Sequence, residues 1–163
     1  MATSTTRGGR RHAGAALRSD ARSLRLLLAR LDQDQADLER ARQLLQQARE
    51  LTAVAPREAF ELVHRAALRG AGVLVARANR ERRRALPLNV WTALERLGGE
   101  EAERAEALGP LVAERTRLDR DSSALPDPRL LEQHLADTAA HLDRVAETLL
   151  EGLPVPLAEH PEG

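Results

Sequence analysis

From Leu131 to Leu149 the sequence places a core-type side chain every three or four positions, at Leu131, Leu135, Thr138, Leu142, Val145 and Leu149. Side chains at those intervals line one face of a helix, because about 3.6 residues complete a turn. Asp127 can cap the start of this helix and Pro128 suits its first position. Gly152, followed by Pro154, Pro156 and Pro161, prevents continuation. A helix with one apolar face must bury that face, and its natural partners are other striped helices.

Such partners lie upstream. Leu38, Ala41, Leu45, Ala48 and Thr52 form a second stripe and predict a helix near Asp37 to Ala53. Before it, Leu24, Leu27, Leu28 and Leu31 share a face from Ser19 onward, but Asp32-Gln33-Asp34-Gln35 interrupts the pattern. Pro56 opens a further helix, with Glu58 and Glu61 near its positive end and a stripe through Phe60, Val63, Ala67, Gly70 or Ala71, Leu74 and Ala78. Gly70 and Gly72 let a neighbouring helix come close, at a cost of about 1 kcal/mol each relative to Ala. Asn89 is a cap candidate for a third helix, which Gly98-Gly99 ends. Glu100 to Ala107 reads as a polar connector to a short helix running from Gly109-Pro110 to about Asp119.

The predicted fold class is therefore all-α, an antiparallel up-and-down bundle of four to five helices. Its core must come from Leu, Ala and Val, because Phe60 and Trp91 are single examples of their types and Tyr is absent. Three segments follow: a disordered basic arm over 1–18, a helical bundle over 19–151 with its core at about 38–151, and a Pro-rich tail over 152–163. The arm combines Thr, Ser, Gly and Arg without apolar periodicity, so little burial offsets the ordering entropy of about 1 to 2 kcal/mol per residue.

Charge is balanced in total but not along the chain. From Met1 to Arg30 seven Arg face Asp20 alone, and from Arg57 to Arg84 eight Arg face Glu58, Glu61 and Glu81. The cluster of Arg65, Arg69, Arg77, Arg80, Arg82, Arg83 and Arg84 is the candidate nucleic-acid surface, since guanidinium supplies fixed charge and planar donors to phosphate. It lacks interleaved aromatics for base stacking, which argues against sequence-specific reading of single strands. The absence of Cys removes disulfides, thiol nucleophiles and thiolate metal sites. Leu26-Leu27-Leu28-Ala29 is bracketed by Arg25 and Arg30, and no apolar run approaches the roughly 18 residues of a membrane span. Arg10-Arg11 is followed by no apolar stretch, so a twin-arginine export signal is not expected, and the cytoplasm is the expected location.

The stretch His64-Arg65-Ala66-Ala67-Leu68-Arg69-Gly70-Ala71-Gly72-Val73-Leu74, the Arg-rich loop after it and Asn89-Val90-Trp91 together resemble the HEPN superfamily. More narrowly, the chain is similar to an actinobacterial HEPN family of the SAV type over about Leu44 to Leu150. The resemblance implies a bundle of four or five helices, frequent homodimerisation and an association with nucleotides or RNA. Many HEPN proteins are ribonucleases whose site is an Arg followed four to six residues later by His at the start of a late helix. The matching positions here are Arg129 and His134, which the resemblance makes the candidate catalytic pair. Leu130 stands where active members carry a polar residue. The first reading is thus a non-catalytic bundle that binds nucleic acid, RNA before DNA, or a partner protein. A metal-independent endoribonuclease and a purely structural interaction module are the alternatives.

His64 and Asn89 are candidate ligand contacts, against a core-edge role for the histidine and a capping role for the asparagine. His134, Asp137 and His141 fall on one side of the last helix, but ligands from a facing helix are not identifiable by spacing, so no metal and no cofactor is expected.

Overall fold

The computed structural model describes residues 7–153, with side chains from residue 11 onward. Its six segments are all helical: α1 (Arg7–Leu51), α2 (Pro56–Arg80), α3 (Val90–Leu97), α4 (Gly99–Ala107), α5 (Gly109–Arg120) and α6 (Pro128–Glu151). The chain divides into two compact units between Gln33 and Asp34. The Pro-rich stretch expected at the end falls mostly outside the described residues.

In the first unit, α1 is already helical at Arg7, earlier than Ser19, and runs through part of the stretch read as an arm. Ala13, Ala15 and Ala16 and the arginines favour helix locally, and nearly every side chain from 11 to 30 is exposed. Leu17, Leu24, Leu26, Leu27 and Leu28 are all solvent-exposed.

The second unit holds the core. Leu38, Ala41, Leu45 and Ala48 of α1 are buried, as their spacing predicts. α2 and α6 supply most of the remaining interior, including Phe60, Val63, Ala67, Leu74, Leu131, Leu142, Val145 and Leu149. The antiparallel packing expected from short connections holds for α1: Arg80 of α2 reaches back to Asp34, and Arg42 pairs with Asp143 of α6 at 3.6 Å. α2 and α6 consequently run in the same direction, Phe60 facing His134 and Gly70 facing Leu142. The three short helices between them carry the chain back.

Local chemistry explains the boundaries. Pro56 and Pro128 occupy first-turn positions, and the Asp127 carboxylate accepts from the Arg129 and Leu130 amides at 2.8 and 3.4 Å. Asn89 caps α3 by accepting from the Thr92 amide at 3.1 Å. Gly98 and Gly99, with φ of 73° and 55°, allow α4 to start directly where α3 stops. The stretch expected to be a connector, Glu100 to Ala107, is thus a helix itself: Glu100 and Glu101 sit at its positive end and three alanines favour it.

The close approach expected at the glycines of α2 occurs at one of them. A Cβ on Gly70 would collide with a methyl of Leu142, whereas one on Gly72 would meet nothing within 4 Å. The interruption at Asp34 is equally specific. Asp34 is buried and takes both Nη groups of Arg80 at 2.8 Å, so the break in the leucine stripe holds a bidentate ion pair.

Candidate functional site

The arginine cluster begins on α2 and ends in the loop after it. At 100° per residue, positions 65, 69, 77 and 80 fall within one 120° sector of the helix. Arg65 and Arg69 are exposed, and Arg65 has only a loose ion pair with Glu61, at 3.8 Å. Arg77 lies against Gly152 at the end of α6. Arg80 is held by Asp34, so its charge is compensated. Arg82, Arg83 and Arg84 are exposed on the loop, and among the described residues their guanidinium groups have no carboxylate within ion-pair distance. The Asn79 side chain fixes that loop by accepting from the Leu86 amide at 2.8 Å.

Arg129 and His134 are not brought together. Arg129 is exposed in the first turn of α6, while His134 is fully buried and turned toward α2. Its ring stands 5.5 Å from Phe60 and 6.1 Å from His64, between centroids. Five positions on a helix place two side chains more than a quarter turn apart, so the separation follows from α6 being regular.

His134 instead belongs to an interior polar cluster that spans α2, α4 and α6. The Thr138 hydroxyl lies 3.3 Å from His134 Nδ1 and accepts from Arg104 Nη2 at 3.2 Å. Having accepted from arginine, the hydroxyl is placed to give its own proton to Nδ1, which leaves the ring proton on Nε2. His64 packs edge-on against Trp91 at 6.0 Å, and neither Asn89 nor His64 shares a hydrogen bond with the other. Below this, His141 Nε2 meets Glu101 at 3.1 Å and Arg144 donates to the same carboxylate at 2.7 Å. Four buried polar atoms in the cluster have no hydrogen-bond partner among the described residues: His64 Nδ1, Arg104 Nε, His134 Nε2 and His141 Nδ1.

The electrostatics follow from burial. His134 is pushed down to about 3, first by loss of solvent and then by the Arg104 guanidinium and His64. Burial also lowers His64, with Arg115 acting in the same sense. Arg104 is drawn below its ordinary value by burial, opposed by Asp137 and Glu101. At neutral pH Arg104 is thus a buried cation beside the neutral imidazoles of His64 and His134. No set of three or more His, Cys, Asp or Glu among the described residues is arranged to hold a metal ion.

Two structural roles escaped sequence reading. Arg57 donates to the carbonyls of Leu118, Asp121 and Ala124 at 2.8 to 2.9 Å, closing the end of α5. Arg115 forms a two-pronged pair with Glu61 at 2.8 and 3.0 Å and holds that carboxyl below its ordinary value. No local signal marks either, because each joins residues more than fifty positions apart. The histidines of the cluster were visible as His64 on one stripe and His134 and His141 seven apart on another, but Arg104 was hidden in the presumed connector.

Among the described residues, no helix is long and apolar enough to cross a membrane. A family model described as SAV_6107-like HEPN matches residues 48–146, more than half of the chain. No curated protein and no solved structure matches the chain significantly.

Proposed function

Because the chain belongs to the SAV_6107-like HEPN family, we propose that it is a non-catalytic helical-bundle protein that binds RNA through the arginines of α2 and the loop after it. The observation that carries this reading is the charge, without an ion pair among the described residues, of Arg69, exposed on α2, and of Arg82, Arg83 and Arg84, exposed in the loop after it. Guanidinium groups without protein partners are available to phosphate oxygens, and each phosphate neutralised releases bound counterions. Arg65 and Arg77 extend the same surface along the helix. Arg80 contributes less, since Asp34 already occupies its donors.

The non-catalytic half of the reading rests on His134. A general acid or base must reach its substrate and change protonation near the working pH. His134 is fully buried with its pKa near 3, and Arg129 is on the outside. The runner-up, cleavage by this pair, requires α6 to unwind or turn.

Fluorescence anisotropy with a labelled single-stranded RNA tests both halves. Binding should weaken with added salt, by about 0.7 in the log–log slope for each phosphate contacted. Replacing Arg82, Arg83 and Arg84 together by Ala should lower that slope by about 2, and the RNA should stay intact in the presence of a chelator. No binding at low ionic strength, or a slope unchanged by the triple substitution, refutes the RNA reading and leaves a protein partner as the ligand of this face. Chelator-resistant cleavage lost in Arg129→Ala refutes the non-catalytic one.

A further inference from the structure

We propose that Arg104, Thr138 and His134 line a buried site for one small monovalent anion, of the size of chloride, between α4 and α6. The observation that carries it is a buried charge without a counter-charge. The Arg104 guanidinium is 8% exposed, and among the described residues it takes part in no ion pair. Glu101, one turn earlier on α4, is committed elsewhere: one oxygen accepts from Arg144 at 2.7 Å and the other meets His141 at 3.1 Å. Asp137 and Glu101 act on the guanidinium from beyond ion-pair distance. A cation taken out of water and left unpaired is costly, so a negative partner inside the cluster stabilises the fold.

The donors are set for such a partner. Nε and Nη2 form one edge of a guanidinium, the edge with which Arg115 grips both oxygens of Glu61. In Arg104, Nη2 of that edge donates to the Thr138 hydroxyl at 3.2 Å, while Nε is buried without a partner among the described residues. The same hydroxyl lies 3.3 Å from His134 Nδ1, which leaves the ring proton on Nε2, also buried without a partner. Two N–H donors thus sit on groups joined through one hydroxyl. His64 Nδ1 is a third unpartnered nitrogen, on a ring 6.1 Å from that of His134. A water would accept from these donors but leave the positive charge unanswered; an anion does both. Depth limits its size. Arg104, His134 and Thr138 are all more than nine-tenths buried, so a phosphate carried on a nucleic acid has no access. A single-atom ion needs the room of one water, roughly 30 Å³.

Urea denaturation of the full chain at pH 7.5 reads the site, with sodium gluconate replaced stepwise by sodium chloride or bromide at constant ionic strength. The midpoint should rise with halide concentration, as for any ligand that the folded state alone binds. Arg104→Met should give equal midpoints in gluconate and halide, whatever its absolute stability, while Arg49→Met, at an exposed arginine of α1, should keep the parent's response. Crystals of the parent soaked in bromide should show an anomalous peak within hydrogen-bonding reach of Arg104 Nε. A parent midpoint that ignores the exchange, a halide response that survives Arg104→Met, or density at the guanidinium without anomalous signal would each overturn the proposal. Should Arg104→Met fail to fold, the parent's midpoints and the bromide map still decide. None of these measurements involves RNA, so this site and the RNA surface fail separately.

Discussion

Acidification from pH 7.5 to pH 5.0 is expected to remove about 2 kcal/mol of folding stability through His134 alone. The ring is neutral in the fold, with its pKa near 3 against an ordinary 6.5. Between those values the unfolded chain binds a proton that the folded chain refuses, so stability falls as the pH falls through 6.5 and levels off near 3. At pH 5.0 the unfolded ring is 1.5 units below its pKa, and at about 1.4 kcal/mol per unit the loss is about 2 kcal/mol. His64, lowered by burial in the same sense, adds to it. Glu61 is held down by the Arg115 hydrogen bond and Glu101 by that of His141, from an ordinary value of 4.5. Their contributions are present above 4.5 and are lost only below it, so the window from 6.5 to 5.0 isolates the histidines. Urea denaturation followed by circular dichroism at pH 7.5, 6.5, 5.5 and 5.0 gives the curve. In His134→Gln the decline over this window should shrink to the share of His64, and in the double variant with His64→Gln it should nearly vanish. A decline in His134→Gln as steep as in the parent would refute the assignment of a neutral, desolvated His134.

The glycines of α2 should respond in opposite directions. Gly70→Ala is expected to destabilise by about 1 to 2 kcal/mol, because a Leu142 methyl occupies the space of the new carbon, while Gly72→Ala should stabilise by up to about 1 kcal/mol, both read by urea denaturation. Arg57→Ala removes three bonds to the carbonyls ending α5 and should cost about 2 kcal/mol, with Arg57→Lys recovering only part of it in the same assay. Arg104→Met replaces a buried cation that has one hydrogen bond; stability at pH 7.5 should be unchanged or higher by about 1 kcal/mol, and nuclear magnetic resonance titration should place the His134 pKa above its parent value.

What could be read from the sequence was what repeats or terminates locally. The α6 stripe needed only residue spacing, and Asp127, Pro128, Asn89 and the paired glycines needed only their own backbone preferences. What could not be read was decided by partners distant in the chain. Asp34 looked like a flaw in a stripe because Arg80 lies 46 residues away. Glu100 to Ala107 looked like a connector because Arg104 stands among Glu100, Glu101, Glu103 and Glu106 with no large apolar side chain in the stretch, although its guanidinium packs under α6 against Thr138. The candidate catalytic pair illustrates the same limit from the other side. Spacing located Arg129 and His134 on one helix, but only the packing shows His134 on the side of α6 that meets Phe60 and His64 of α2, with Arg129 outside.

That inward turn ties the interior cluster to the proposed activity. A histidine that cleaves RNA has to be wet enough to exchange protons and charged for part of its cycle. Here Arg104 supplies a fixed positive charge next to the ring, the ring is fully buried beside Phe60 and His64, and Thr138 holds Nδ1. Each of these favours the neutral form, and together they leave His134 as a packing residue whose protonation opposes the fold. Replacing one residue on the surface cannot reverse this, because the cation, the desolvation and the helix crossing all act on the same ring. The charge that the proposed reading uses is that of exposed arginines without an ion pair among the described residues, Arg69 midway along α2 and Arg82, Arg83 and Arg84 in the loop after it.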